Sequence, residues 1–153
     1  MWLEVLKHVA KKLQKSKAAP RVMLGAVNPA RAEVTSAGTI LLVRGNETSA
    51  EEDRGELSIV TIYLEAWVRD DAPDMVKGYE RLAKLEAKID AALNELREQA
   101  GRLDEAAAMI SPALQLVDIQ IDTKTGDMDS MRPLVGTQYS IQVKVFKQGG
   151  GIW

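Results

Sequence analysis

Cysteine is absent from this sequence, which excludes disulfides, thiolate metal sites and cysteine nucleophiles together. Histidine occurs once, as His8, so it has no second imidazole or thiolate with which to build a metal set. Its place on the lysine-bearing side of a helical pattern reads as solvated. Aromatics are few, with one Phe, three Tyr and three Trp, too sparse for a stacking platform on single-stranded nucleic acid. No run of consecutive apolar residues, Ile40 to Val43 included, exceeds five, far short of the ~20 that a membrane-spanning helix needs. Neither sign of charge prevails: 20 Lys and Arg stand against 22 Asp and Glu, a net charge of −2. That removes any global attraction to nucleic acid or to an anionic bilayer. No glycine-rich phosphate-binding motif follows a strand pattern, which disfavours nucleotide binding.

What is present is a chain of 153 residues with 46% apolar and 27% charged side chains, the composition of one globular domain. We expect that domain over 1–147, with 148–153 a flexible tail. Residues 2 to 16 set Trp2, Leu3, Leu6, Val9, Ala10 and Leu13 on one helical stripe opposite Glu4, His8, Lys11, Lys12 and Lys15, so the N-terminus reads as an amphipathic helix and not as a targeting segment. Arg21 to Val43 breaks into two or three short strand patterns, Val22–Leu24, Ala32–Thr35 and Thr39–Val43, around an Asn28-Pro29 turn signal. Residues 44 to 56 lack periodicity and read as a mobile loop or contact tip.

Leu57 to Arg69 is the clearest strand. Val60, Ile62, Leu64, Ala66 and Val68 alternate with Thr61, Tyr63, Glu65, Trp67 and Arg69, and the first, apolar set should receive helices. Asp70-Asp71-Ala72-Pro73-Asp74 then opens a long helix to Ala100, with Asp71 placed to cap and Asp74 to complement the dipole. Gly78 inside it costs ~1 kcal/mol relative to alanine, which points to a close backbone approach or to simple tolerance. A second short helix is expected over Arg102 to Ile110, stopped by Ser111-Pro112. Two alternating strands close the chain, around Val117–Ile121 and Tyr139–Val145, joined by a projecting connection, 124 to 136. The predicted fold is therefore α+β: a mostly antiparallel sheet of about five strands with helices packed on one face, in the order α-β-β-β-α-α-β-β.

Catalytic equipment is hard to find. The carboxylates Asp122, Asp127 and Asp129 surround Gly126, but Lys124 interrupts them and the EF-hand spacing fails, so a solvated tip is expected and no metal. Acid–base catalysis would need one acid with a raised pKa in an enclosed pocket, whereas Asp70, Asp71 and Asp74 stand where helix capping already explains them. Charge asymmetry is more informative. Residues 1 to 21 gather Lys7, Lys11, Lys12, Lys15, Lys17 and Arg21 against Glu4, while 46 to 56 gathers Glu47, Glu51, Glu52, Asp53 and Glu56 against Arg54. Opposite flanks suit a head-to-tail interface between copies. Trp67, on the mixed strand face, and Trp153, after a glycine run, are candidate anchors on a neighbour.

The order of elements, the stretch Ser58-IVTIYLEAWVRDDAPDMVKGYERLAKLEAKIDAAL-Asn94 and the closing pair of alternating strands resemble tail terminator (tail completion) proteins of tailed bacteriophages. The match is one of pattern and covers nearly the whole chain. The resemblance implies a ring, commonly a hexamer, that caps the tail tube, stops its polymerisation and presents a surface to the head-side connector. It implies a location in the virion, no catalysis, and no cofactor. The implied partners are further copies of the chain, the tail tube protein and the connector or stopper. Lys11, Lys12, Lys15 and Lys17 are expected to meet Glu51, Glu52 and Asp53 of the next protomer, with Trp67, Asp127, Asp129 and Trp153 as further interface candidates. The alternatives are a head–tail adaptor or stopper and, in another class, a module that binds DNA or a membrane surface through the first helix.

Overall fold

The computed structural model describes residues 1–25, 28–52, 55–100 and 108–148. In chain order these form α1 (Trp2–Lys15), β1 (Arg21–Leu24), a 3-10 turn (Pro29–Arg31), β2 (Thr39–Glu52), β3 (Gly55–Arg69), α2 (Val76–Ala100), β4 (Met109–Ser111), β5 (Leu114–Gly126) and β6 (Leu134–Gln148). The class is α+β as predicted, with a six-stranded sheet in the order β1-β2-β3-β6-β5-β4. Only β1 with β2 is parallel; every other pair is antiparallel.

The alternation in β3 does what its pattern requires. Val60, Ile62, Leu64, Ala66 and Val68 are buried, and so are Tyr139, Ile141, Val143 and Val145 beside them on β6. These residues form one core with Val5, Leu6, Val9 and Leu13 of α1 and Leu82, Leu85, Ile89, Leu93 and Leu96 of α2. α1 packs against both β1 and β4, the outermost strands, so the sheet curls around the helices. Because Leu6 and Val9 are spent in this core, the first helix has no apolar stripe left to lay on a membrane.

Gly78 lets α2 settle close to the sheet. A Cβ there would stand 3.3 Å from the Asp70 carboxylate and 3.3 Å from Val135, so close approach, not tolerance, explains it. Asp74, not Asp71, caps the helix, accepting the Val76 N–H at 3.0 Å. Asp71 instead pairs with Arg69 at 3.3 Å.

Four sequence expectations change. Residues 44 to 56 are not a mobile loop: apart from 53 and 54, which lie outside the described residues, they extend β2 and β3 as a hairpin. Its side chains are mostly exposed, so no apolar alternation is demanded. The ladder is held because β3 is flanked on its other side by β6 as far as Gly55 opposite Gln148. Ala32–Thr35 is no strand. Asn28 caps a 3-10 turn by accepting the Ala30 N–H at 3.0 Å, and Glu33 takes a positive φ of 51°, which ends extended structure. Met109–Ser111 form β4 where the sequence pattern puts the end of the helix expected over Arg102 to Ile110; residues 102–107 of that helix lie outside the described residues. Finally, the connection expected over 124 to 136 shrinks to 127–133, because β5 and β6 run further than their apolar residues mark.

Candidate protein interaction surfaces

β1 covers only Thr39–Leu42 of β2. From Val43 to Glu52 the outer edge of β2 has no strand partner among the described residues. β4 likewise covers only Leu114 and Gln115 of β5, so that among the described residues Leu116 to Gly126 have no outward strand partner. The two free edges are offset. Glu51, Glu56, Lys147 and Leu114 share one row, and Ile40, Ala66, Thr137 and Gly126 share another, so β2 is open toward its hairpin end and β5 toward the opposite end. Through the alternating ladders, β2 and β5 run antiparallel to each other. A free β2 edge of one copy therefore matches a free β5 edge of another in direction.

A second surface is the loop 127–133. Met128 and Asp129 both take left-handed φ values, 61° and 55°, which residues with side chains adopt only when held. The Asp127 carboxylate accepts the Asp129 N–H at 3.1 Å, Tyr79 of α2 donates its hydroxyl to Asp129, and Arg132 donates to the Pro73 carbonyl at 3.1 Å. That bond to Asp129, then burial and the acids around it, hold the Tyr79 hydroxyl above its ordinary pKa. The strapped loop lifts Met128 into solvent, 94% exposed between two aspartates. Val76 and Tyr79, one helical turn apart at the start of α2, are also exposed.

The third surface is a groove of about 330 Å³ bounded by His8, Lys11, Lys12 and Lys15 of α1, Leu96 and Gln99 of α2, and Met109 and Ile110 of β4. Its wall is basic and its floor apolar. His8 is not solvated as expected but half-buried, and burial, with the neighbouring Lys11 charge after it, lowers its pKa.

The expected interface residues are thus distributed unevenly. Lys11, Lys15 and Lys17 are exposed, whereas Lys12 is paired within the chain to Glu95 of α2. Glu51 is exposed on the hairpin directly opposite Glu56, and Glu52 ends β2. Asp53 and Trp153 lie outside the described residues. Asp127 and Asp129 are half-buried, shaping the 127–133 loop. Trp67 is a correction: it is 7% exposed and packs with Ala32, Val34, Leu41 and Leu134 in a second small core on the other face of the sheet. The segment after β1 folds back over it, so its ring is used inside the protomer. Sequence reasoning missed Met128, Val76 and Tyr79. Among the described residues no group of three or more His, Asp or Glu is placed to hold a metal ion.

A network centred on the buried Tyr139 ties α2 to the sheet. Tyr139 donates its hydroxyl to Asp90 at 3.2 Å, Asp90 accepts Lys124 at 2.6 Å, and Lys124 lies over the Tyr139 ring at 4.9 Å. Burial first, then the charges of Asp90 and Glu86, push the Tyr139 pKa well above its ordinary value. Because the folded pKa is the higher one, the stabilisation is complete below the unfolded value of ~10 and declines as pH rises past it. Tyr139→Phe should cost about 1 kcal/mol at neutral pH in urea unfolding and should flatten the alkaline loss of stability.

No protein-family model and no curated protein matches the sequence. Among solved structures, a chain from the virion of a native gene transfer agent particle is similar at 12% identity and a TM-score of 0.49, over 90% of this chain and 84% of that one. At that identity the likeness concerns the fold alone.

Proposed function

We propose that this chain is a virion structural protein whose copies close into a ring, commonly of six, which caps the tail tube, ends its polymerisation and offers its other face to the head-side connector. The observation that carries the reading is the pair of sheet edges without a strand partner among the described residues, β2 from Val43 to Glu52 and β5 from Leu116 to Gly126. They are antiparallel and offset, the arrangement a heterologous contact needs in order to repeat around an axis. Among the described residues α1 and α2 both pack on one face of the sheet, away from these edges' hydrogen-bonding groups. A ring of this kind acts through shape and copy number and requires no cofactor. Its partners are its own copies, the tube protein and the connector or stopper.

Native mass together with negative-stain images of the purified chain tests the assembly, and virions made without the protein test the role. The expected results are rings with a central hole and tails that overrun their normal length. Tails of normal length that fail to join heads would instead identify an adaptor or stopper. A chain that stays single in solution and in the virion would overturn the reading.

A further inference from the structure

We propose that β2 of one copy pairs with β5 of the next in a single register, Thr48 opposite Thr123 and Ala50 opposite Gln120, so that the sheet continues from copy to copy. The inference rests on the ring reading and fixes which residues meet. The limits come from the strands that cap each edge. β1 covers β2 as far as Leu42, and β4 covers β5 as far as Gln115. For the two edges to lie side by side without striking those strands, Gly126 can reach no further along the neighbour's β2 than Val43, and Glu52 no further along the neighbour's β5 than Leu116. Traced across the sheet to β3, Gly126 lies in the row of Ala66 and Val43 in that of Tyr63, while Leu116 lies in the row of Ser58 and Glu52 in that of Gly55. Each limit displaces the neighbour along the strands by at least three rows.

Sidedness removes the odd displacement. In a ring every copy turns the same face of its sheet toward the axis, so a row joins only residues that point to the same face. Glu47 stands in the row of Val60, and Ile119 and Ile121 in those of Val143 and Ile141, all three partners being in the core beneath the helices. Ser49 and Glu51 follow Glu47 at a period of two. The smallest permitted displacement is therefore four rows, which also keeps the longest ladder. It sets Glu51 opposite Ile119, Ala50 opposite Gln120, Ser49 opposite Ile121 and Thr48 opposite Thr123. The irregular residues agree with it. The extra residue of β5 at Asp122 and that of β2 at Gly45–Asn46 fall on opposite strands of one ladder, so the second cancels the first and Arg44 meets Gly126 in step. Thr48, Ala50, Gln120 and Thr123 are exposed in the single chain, and the added strand would lay Ser49 and Glu51 along the open cleft of about 320 Å³ that Asn94, Arg97, Ile119 and Ile121 line. Main-chain groups make the contact. It needs no new charge pair, since Lys124 and Arg97 along this edge already answer Asp90 and Asp118 within the chain.

Since the chain has no cysteine, introduced thiols report proximity without background. Within one chain β3 and β6 stand between β2 and β5, a separation of about 14 Å that no disulfide spans, so a link forms only between copies. The full-length protein carrying Thr48→Cys with Thr123→Cys, or Ala50→Cys with Gln120→Cys, should give a covalent ladder of dimers and higher species on mild oxidation, in purified assemblies and in virions. Thr48→Cys with Gln120→Cys or with Thr125→Cys, two rows out of register on either side, should not. In the unmodified protein, edge amides within 47–51 and 118–124 should exchange about tenfold more slowly once copies associate. A ladder from an offset pair in place of the aligned ones would overturn this register and leave the edges and the ring standing. Glu51→Cys linked to Lys15→Cys, with neither aligned pair linked, would send the hairpin to the basic face of α1 and overturn the pairing, again with the ring intact. Rings of the expected mass whose edge amides gain no protection would overturn it too. If copies never associate, in solution or in the virion, the register and the ring fall together.

Discussion

Gly136→Ala is expected to destabilise the protein by about 3 kcal/mol, the upper end of what overpacking a filled core costs. Gly136 on β6 lies directly across from Trp67 on β3, and the indole lies flat over it. A Cβ at 136 would fall 2.4 Å from the Trp67 ring. The ring has little room to retreat, because Ala32, Val34, Leu41 and Leu134 pack around it and its Nε1–H donates to Glu65 at 3.1 Å. The cause is testable in a double-mutant cycle. Trp67→Ala alone should cost roughly 3–5 kcal/mol through the cavity it leaves. In that background Gly136→Ala should be close to neutral, since the clash has gone and alanine is a better strand residue than glycine. Urea midpoints at unchanged slope give all four values; strictly additive costs would mean that the ring and the glycine do not oppose each other.

Trimming the β2–β3 hairpin should abolish assembly without unfolding the protomer. Replacing residues 49–58 by Asn-Gly joins Thr48 to Ile59, which are already register partners, through the two-residue turn that antiparallel strands favour. Of the described residues removed, 49–51 are exposed, 55–57 are half-buried and only Ser58 is buried. β6 keeps its ladder to β5 as far as Lys147 opposite Leu114, so helix content should be retained and the thermal midpoint should fall only modestly. What disappears is the outermost part of the free β2 edge, together with Glu51 and Glu56. Sedimentation should then show a single protomer, with a mass slightly below the 16.8 kDa of the intact chain. Rings that persist in this variant would separate closure from the hairpin edge.

Much of the architecture can be read from local patterns because burial there is one-sided and contiguous. The stripe over Trp2–Leu13 marks α1, the alternation over Val60–Val68 marks both β3 and the face that takes the helices, and Asp74 with the stripe after it marks α2. The pattern fails where tertiary contacts supply what it leaves out. Residues 44 to 52 show no alternation because both of their faces are wet, yet pairing with β3 makes them a strand. Trp67 sits on a face with Tyr63 and Glu65 and so reads as outward; a segment some thirty residues earlier covers it. Met128 has no local signal at all. Its exposure depends on the Tyr79 bond to Asp129 across fifty residues of chain, a coupling that a single sequence does not display.

Neither open flank of the sheet is a straight ribbon. β2 carries an extra residue at Gly45–Asn46 opposite Thr61, and β5 carries one at Val117 and another at Asp122. Such kinks coil a strand away from any flat template that tries to zip alongside it. A chain that presents two naked borders is thereby guarded against fibrous stacking during synthesis, while a neighbour whose own kinks fall in step can still dock. On the proposed ring reading, the same few irregular residues would serve both solubility before assembly and fidelity during it.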